Sequence, residues 1–200
     1  PSRGLGDVYK RQHLHRQADG RSRSAQLIMS NDWQTQFREV FDAGVERRRG
    51  SCGDPESMFT GDQVAFLESI GCSAQEMFDF CDDYVGWGDV IYEHVVELQA
   101  VRREHFLNTL NSQPAARRMG MDEFPPKDAE VEGISWLPRL IVKARAKLEG
   151  ALPTDLMYGG GGDRQFFREK NVDPAELLRV TLKAGDEDQS IIDYVKSCSA

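Results

Sequence analysis

WLPRLIVKARAKLEG, residues 136–150, reads as one amphipathic helix. Leu137, Leu140, Ile141, Ala144 and Leu148 recur at helical spacing and form a single apolar stripe. Arg139, Lys143, Arg145 and Lys147 lie off that stripe. Ser135 starts the helix, Pro138 is tolerated because it falls in the first turn, and Gly150 is the stop. No stretch of the chain alternates convincingly with the period of two that a strand shows.

The same reading extends outward in both directions. Upstream, residues 112–134 hold Pro114, Gly120, Pro125, Pro126 and Gly133 among polar residues, and form a connector. Before it, a long helix over 90–111 is capped by Asp89 and carries Ile91, His94, Val95, Leu98, Val101, Phe106 and Leu107 on its apolar stripe. Ser73 to Glu76 form a capping box for a helix with Met77, Phe78, Phe80, Cys81 and Tyr84. Thr60 and Gln63 form another box for a helix that stops at Gly71. A first helix is capped by Asp32, carries Trp33, Phe37, Val40, Phe41 and Val45, and closes on Arg47-Arg48-Arg49-Gly50. An anion site is the sharper reading of those three cations and a helix end is the plainer one. Residues 50–59 form a loop. Downstream, helices follow at 164–170, 173–184 and 188–198.

A gapless offset of 100 pairs Phe66 with Phe166, Glu76 with Glu176, Ile91 with Ile191 and Val95 with Val195. Internal duplication is one reading of this. Chance agreement between two helical hairpins is the other. The fold class is therefore all-α, with about eight helices in two halves, 29–111 and 135–200, within a single domain 29–200.

Residues 1–28 stand apart. They contain Gly4, Gly6 and Gly20 and lack the apolar core of a secretory signal. PSRGLGDVYKRQ, residues 1–12, resembles a translated sequencing adapter, so 1–28 is expected to be a disordered, non-native leader with translation starting at Met29. The leader holds six of the 25 basic residues and two of the 33 acidic ones, so without it the net charge is −12 rather than −8. Such an acidic chain repels nucleic acid and anionic lipid. No run reaches the roughly 18 apolar residues of a membrane helix. Cys52, Cys72, Cys81 and Cys198 form no C-x-x-C pair and read as reduced thiols in the cytoplasm.

The pieces WLPRLIVKARAKLEG (136–150), QAVRREHFLN (99–108), MDEFPPK (121–127) and LMYGGGGDRQFF (156–167) occur in an order that resembles the DUF5069 family, a domain of unknown function. The resemblance extends over about 33–198. Relatives more often interrupt the all-glycine tract. The family implies a small helical bacterial protein and no known activity, hence no catalytic residues to carry over.

Chemistry is sparse. His94 and His105 are eleven residues apart on one helix, a rise of roughly 16 Å, so they cannot share a metal. His94, on the apolar stripe, reads as a core or interface residue. No metal site and no cofactor is expected. Cys72 precedes a helix N-terminus, which lowers a thiol pKa, but no partner base is near in sequence. The tract Gly159–Gly162 lacks the Lys-Ser/Thr of a P-loop, because Asp163-Arg164 follows, and reads as a turn with Asp163 as helix cap. Arg102, Arg103, Trp136, Arg139, Lys143, Tyr158, Asp163 and Arg164 are the candidate ligand-binding residues. They read either as solvated salt bridges or as a basic–aromatic cluster for an acidic or phosphorylated ligand. The chain is thus expected to be a binding or interaction protein without catalytic activity. The alternative is a small-molecule enzyme or sensor using the cluster near 136–164. The expected partner is a protein or a small acidic ligand, with neither nucleic acid nor membrane.

Overall fold

The computed structural model describes residues 33–88 and 90–199. The leader 1–28, the start at Met29 and the caps at Asp32 and Asp89 lie outside the described residues. The described residues fall into two units, 33–39 and 40–199. In the first, residues 33–39 are helical, and the Trp33 and Phe37 rings lie 5.9 Å apart. They form the start of α1, residues 33–49, whose remaining residues belong to the second unit.

The second unit is mostly helical. After α1 come α2 (Pro55–Met58), α3 (Gly61–Ser69), α4 (Ala74–Trp87), α5 (Tyr92–Asn108), α6 (Leu137–Glu149), α7 (Gly161–Lys170), α8 (Pro174–Ala184) and α9 (Gln189–Cys198). The boxes at Thr60 and Ser73 both form, each side chain accepting the N–H three residues on. Asp173 likewise accepts from Glu176 N at 2.6 Å and starts α8. Each such cap contributes on the order of 1 kcal/mol and fixes where its helix begins.

Three local expectations change. The loop at 50–59 contains α2, capped by Asp54. The connector contains a 3₁₀ turn at Met121–Glu123 and a two-stranded antiparallel ribbon, β1 (Glu130–Val131) with β2 (Ile134–Ser135). Ser135 is therefore a strand residue, and α6 starts after Trp136, which adopts φ 71°. A bulky residue in the left-handed region costs on the order of 1–3 kcal/mol, so its surroundings must hold it there. No longer strand occurs among the described residues.

Helix α8 packs on α5, α6 and α9, and α5 also packs on α6. Phe106, Leu140, Ile141, Ala144, Leu177, Leu178 and Ile191 are among the buried residues of this core. The offset of 100 extends to local structure. Helices α3 and α7 begin at Gly61 and Gly161, and α4 and α8 at Ala74 and Pro174. Gly71 and Asn171 are both left-handed, with φ 72° and 52°. Helix α9 starts three residues early against α5.

Candidate functional site

Arg139, Lys143 and Lys147 recur every four residues and so share one face of α6. The sequence placed them off the buried stripe, yet all three are buried. Each charged head meets a fixed partner. The Arg139 guanidinium donates to Pro125 O at 2.7 Å and lies 5.5 Å from the Phe124 ring. Lys147 Nζ donates to Glu76 Oε1 at 2.8 Å. Lys143 Nζ donates to Asp163 Oδ2.

Asp163 is fully buried, with 0% exposure. Its Oδ1 accepts from Trp136 Nε1 at 2.9 Å, and its Oδ2 accepts from Gly159 N at 2.9 Å besides Lys143. Asp163 is thus not the cap of α7, as expected from sequence. The helix starts three residues earlier, behind Gly160, because the carboxylate is drawn inward to Lys143 and Trp136. Two glycines of the tract have separate reasons. Gly159 takes φ 88°, and a Cβ on Gly162 would sit 2.6 Å from the Trp136 ring.

The candidate residues therefore converge only in part. Trp136, Lys143 and Asp163 meet. Tyr158 is buried, its hydroxyl donates to Pro174 O at 2.9 Å, and burial pushes its phenol well up. Arg164 pairs with Asp83 Oδ2 at 2.5 Å. Arg103 is half-buried on α5. At the end of α1, Arg48 pairs with Asp82 Oδ1 at 2.5 Å, and Arg47 bonds Met58 O and Gln63 Oε1.

Two adjoining cavities flank α4, and Gln75, Asp79, Thr154 and Leu156 line both. One, of about 490 Å³, reaches Trp136, Arg139, Lys143 and Gly160–Gly162. The other, of about 450 Å³, reaches Cys72, Glu76, Arg102, Arg118 and Gly150. Arg102 is only 2% exposed, and its Nε and Nη1 have no hydrogen-bond partner. Its guanidinium lies 5.1 Å from the Phe106 ring. Burial lowers its pKa, while Glu76 and Glu149 oppose that effect.

Helix α4 supplies the opposite charge. Glu76, Asp82 and Asp83 pair with Lys147, Arg48 and Arg164. Asp79 has no cation; Gln75 Nε2 donates to its Oδ1 at 2.8 Å. Burial, with Glu76, Asp83 and Asp82 nearby, raises the Asp79 carboxyl to about 6. Sequence reasoning missed Asp79, although its helical spacing from Glu76, Asp82 and Asp83 was a visible signal.

Cys72 lines the second cavity, but burial drives its thiol pKa up, and that outweighs any lowering by the helix N-terminus. His94 is exposed rather than in the core, whereas His105 is buried, 2.9 Å from Glu149 Oε1. Among the described residues no three His, Cys, Asp or Glu side chains are grouped to hold a metal. None of the described helices is long and apolar enough to cross a membrane.

Residues 126–200 match the family model described as Domain of unknown function (DUF5069). Over these residues the chain is similar to the DUF5069 family. The DUF5069 residues include α6 to α9 and the whole Trp136–Lys143–Asp163 cluster. Arg102, Asp79 and Glu76 precede them, so the Arg102 cavity is built jointly by the DUF5069 segment 150–156 and by helices α4 and α5. No curated protein and no solved structure matches the chain.

Proposed function

We propose that this protein binds a small molecule bearing a carboxylate or phosphate group, without transforming it, in the cavity lined by Arg102. The observation that carries this reading is that Arg102, whose buried Nε and Nη1 have no hydrogen-bond partner, lines a cavity of about 450 Å³. An unsatisfied buried donor costs about 1–3 kcal/mol, and more when charged. A carboxylate or phosphate oxygen offsets that cost, and arginine is the residue best suited to either group. The cluster near 136–164 is a weaker anion receptor. Its Lys143 and Arg164 charges are already met by Asp163 and Asp83, so it serves to hold α6, α7 and α4 in place. The cavity also lacks an activated nucleophile, since the Cys72 thiol stays protonated at neutral pH. The four free thiols favour a cytoplasmic setting.

A protein-interaction role has one observation behind it. Trp87 is 71% exposed at the end of α4, with Val85 and Ile91 also exposed.

The test is a thermal-shift screen of the full chain against small carboxylates and phosphates. Stabilisation by at least one anion is expected, reduced in Arg102→Met and in the rim variant Arg118→Ala. If no anion shifts the melting temperature, the reading fails.

A further inference from the structure

The Arg102 cavity contains a second unmatched charge. Arg102 on α5 is a buried cation in no ion pair, and Asp79 on α4 is a half-buried carboxylate without a cation. Both line the same cavity, and no ion pair joins them. Every other carboxylate along this part of α4 is paired: Glu76 with Lys147, Asp82 with Arg48, Asp83 with Arg164. Glu76 is saturated further, since its Oε2 accepts from the Ser73 N and Oγ. Glu68 and Arg118 also line the cavity but are exposed to water, so Arg102 and Asp79 are its two sheltered charges without an ion pair, and they call for a ligand that carries both opposite charges.

Resting on the anion site proposed above, we infer that the ligand is a zwitterion, an amino-carboxylate whose carboxylate meets Arg102 and whose ammonium meets Asp79. Asp79 Oδ1 already accepts from Gln75 Nε2, which orients the carboxylate and leaves Oδ2 for the ammonium. Thr154 and Gln75 line the same space and add neutral polar contacts. A neutral zwitterion also suits the chain's charge of −8, which repels a dianion at long range and leaves a dipolar solute unaffected. Specificity then follows from both walls. A plain carboxylate leaves Asp79 unmatched, and a plain amine leaves Arg102 unmatched.

Calorimetric titration of the full chain tests this with ω-amino carboxylates of two to six carbons, set against the carboxylates and amines of the same lengths. At least one amino-carboxylate should bind tenfold or more tightly than its deaminated counterpart. Asp79→Asn, which keeps an acceptor for Gln75, should close that gap while leaving carboxylate affinity in place. Asp79→Ser serves as the second variant, with circular dichroism to confirm that each is folded. Carboxylates binding as well as amino-carboxylates would overturn the zwitterion while the anion site stands. A gap that survives in both Asp79 variants would also overturn it. Binding by none of the probes, together with a blank anion screen, would overturn both.

Discussion

The Arg102 guanidinium lies so close to the Gly150 backbone that a Cβ on Gly150 would sit 2.6 Å from Nη2. Gly150 also holds φ 70° at the end of α6, where a side chain is strained. The residue that ends this helix thus also makes room for the buried cation. Gly150→Ala is expected to destabilise the protein by about 1–3 kcal/mol and to weaken anion binding, because Arg102 must move. Urea melts and the anion titration check the two effects.

The Lys143–Asp163 pair should be costly to break from one side. Asp163→Ala leaves a buried ammonium uncompensated and two N–H donors, from Trp136 and Gly159, unmet. A loss of about 3–5 kcal/mol is expected. Asp163→Asn, which keeps an acceptor for Trp136, should lose less. Equal losses in denaturant melts would show that the charge contributes nothing.

Gly162→Ala should act through Trp136. The new methyl would meet the indole at 2.6 Å, and overpacking of this kind costs about 1–3 kcal/mol. The indole must shift away from Asp163, so a change in tryptophan fluorescence should accompany the lower melting temperature. An unchanged spectrum would argue against the contact.

Asp79 sets a pH dependence with a definite sign. Its carboxyl rises from an ordinary 3.8 to about 6 through burial and through Glu76, Asp83 and Asp82, opposed by the bond from Gln75. The folded state therefore holds this proton more tightly than the unfolded chain. The Asp79 contribution to stability is greatest below about pH 4 and is lost as pH rises through about 6. Asp79→Asn removes that contribution. Melts at pH 4 and pH 7 should show wild type losing ground to the variant at the higher pH. The reverse trend would refute the assignment.

The thiols should divide in two. Cys72 and Cys81 are buried, and burial pushes the Cys81 pKa up to about 12 and raises that of Cys72 as well. Cys52 and Cys198 are partly exposed. A thiol reagent should label no more than those two quickly in the native protein and all four after denaturation. Rapid native labelling of Cys72 would contradict its burial.

Much of the fold was legible because helices are local. Thr60, Ser73 and Asp173 mark helix starts through contacts three residues away, and the stripe of α6 repeats every three to four residues. The misread elements were those with long-range causes. Trp136 in the left-handed region and the helix start at Gly161 both depend on Asp163 turning inward to Lys143, twenty residues back in the chain. His94 fits the stripe of α5 by spacing, but it is exposed while Arg102 and His105 on the same helix are buried.

The sequence by itself determined an acidic, mostly helical chain and the caps and stops that delimit its helices. Those properties come from composition and from contacts within one turn. Only the tertiary structure decided which charges are spent and which remain. Arg139, Lys143, Lys147 and Arg164 look alike in sequence to Arg102, and Glu76, Asp82 and Asp83 look alike to Asp79. A charged side chain has no intrinsic burial; its role depends on the partners that distant helices place around it. Here distant residues supply carboxylates to Lys143, Lys147 and Arg164 and a carbonyl to Arg139, whereas Arg102 and Asp79 have no ion pair and line one cavity.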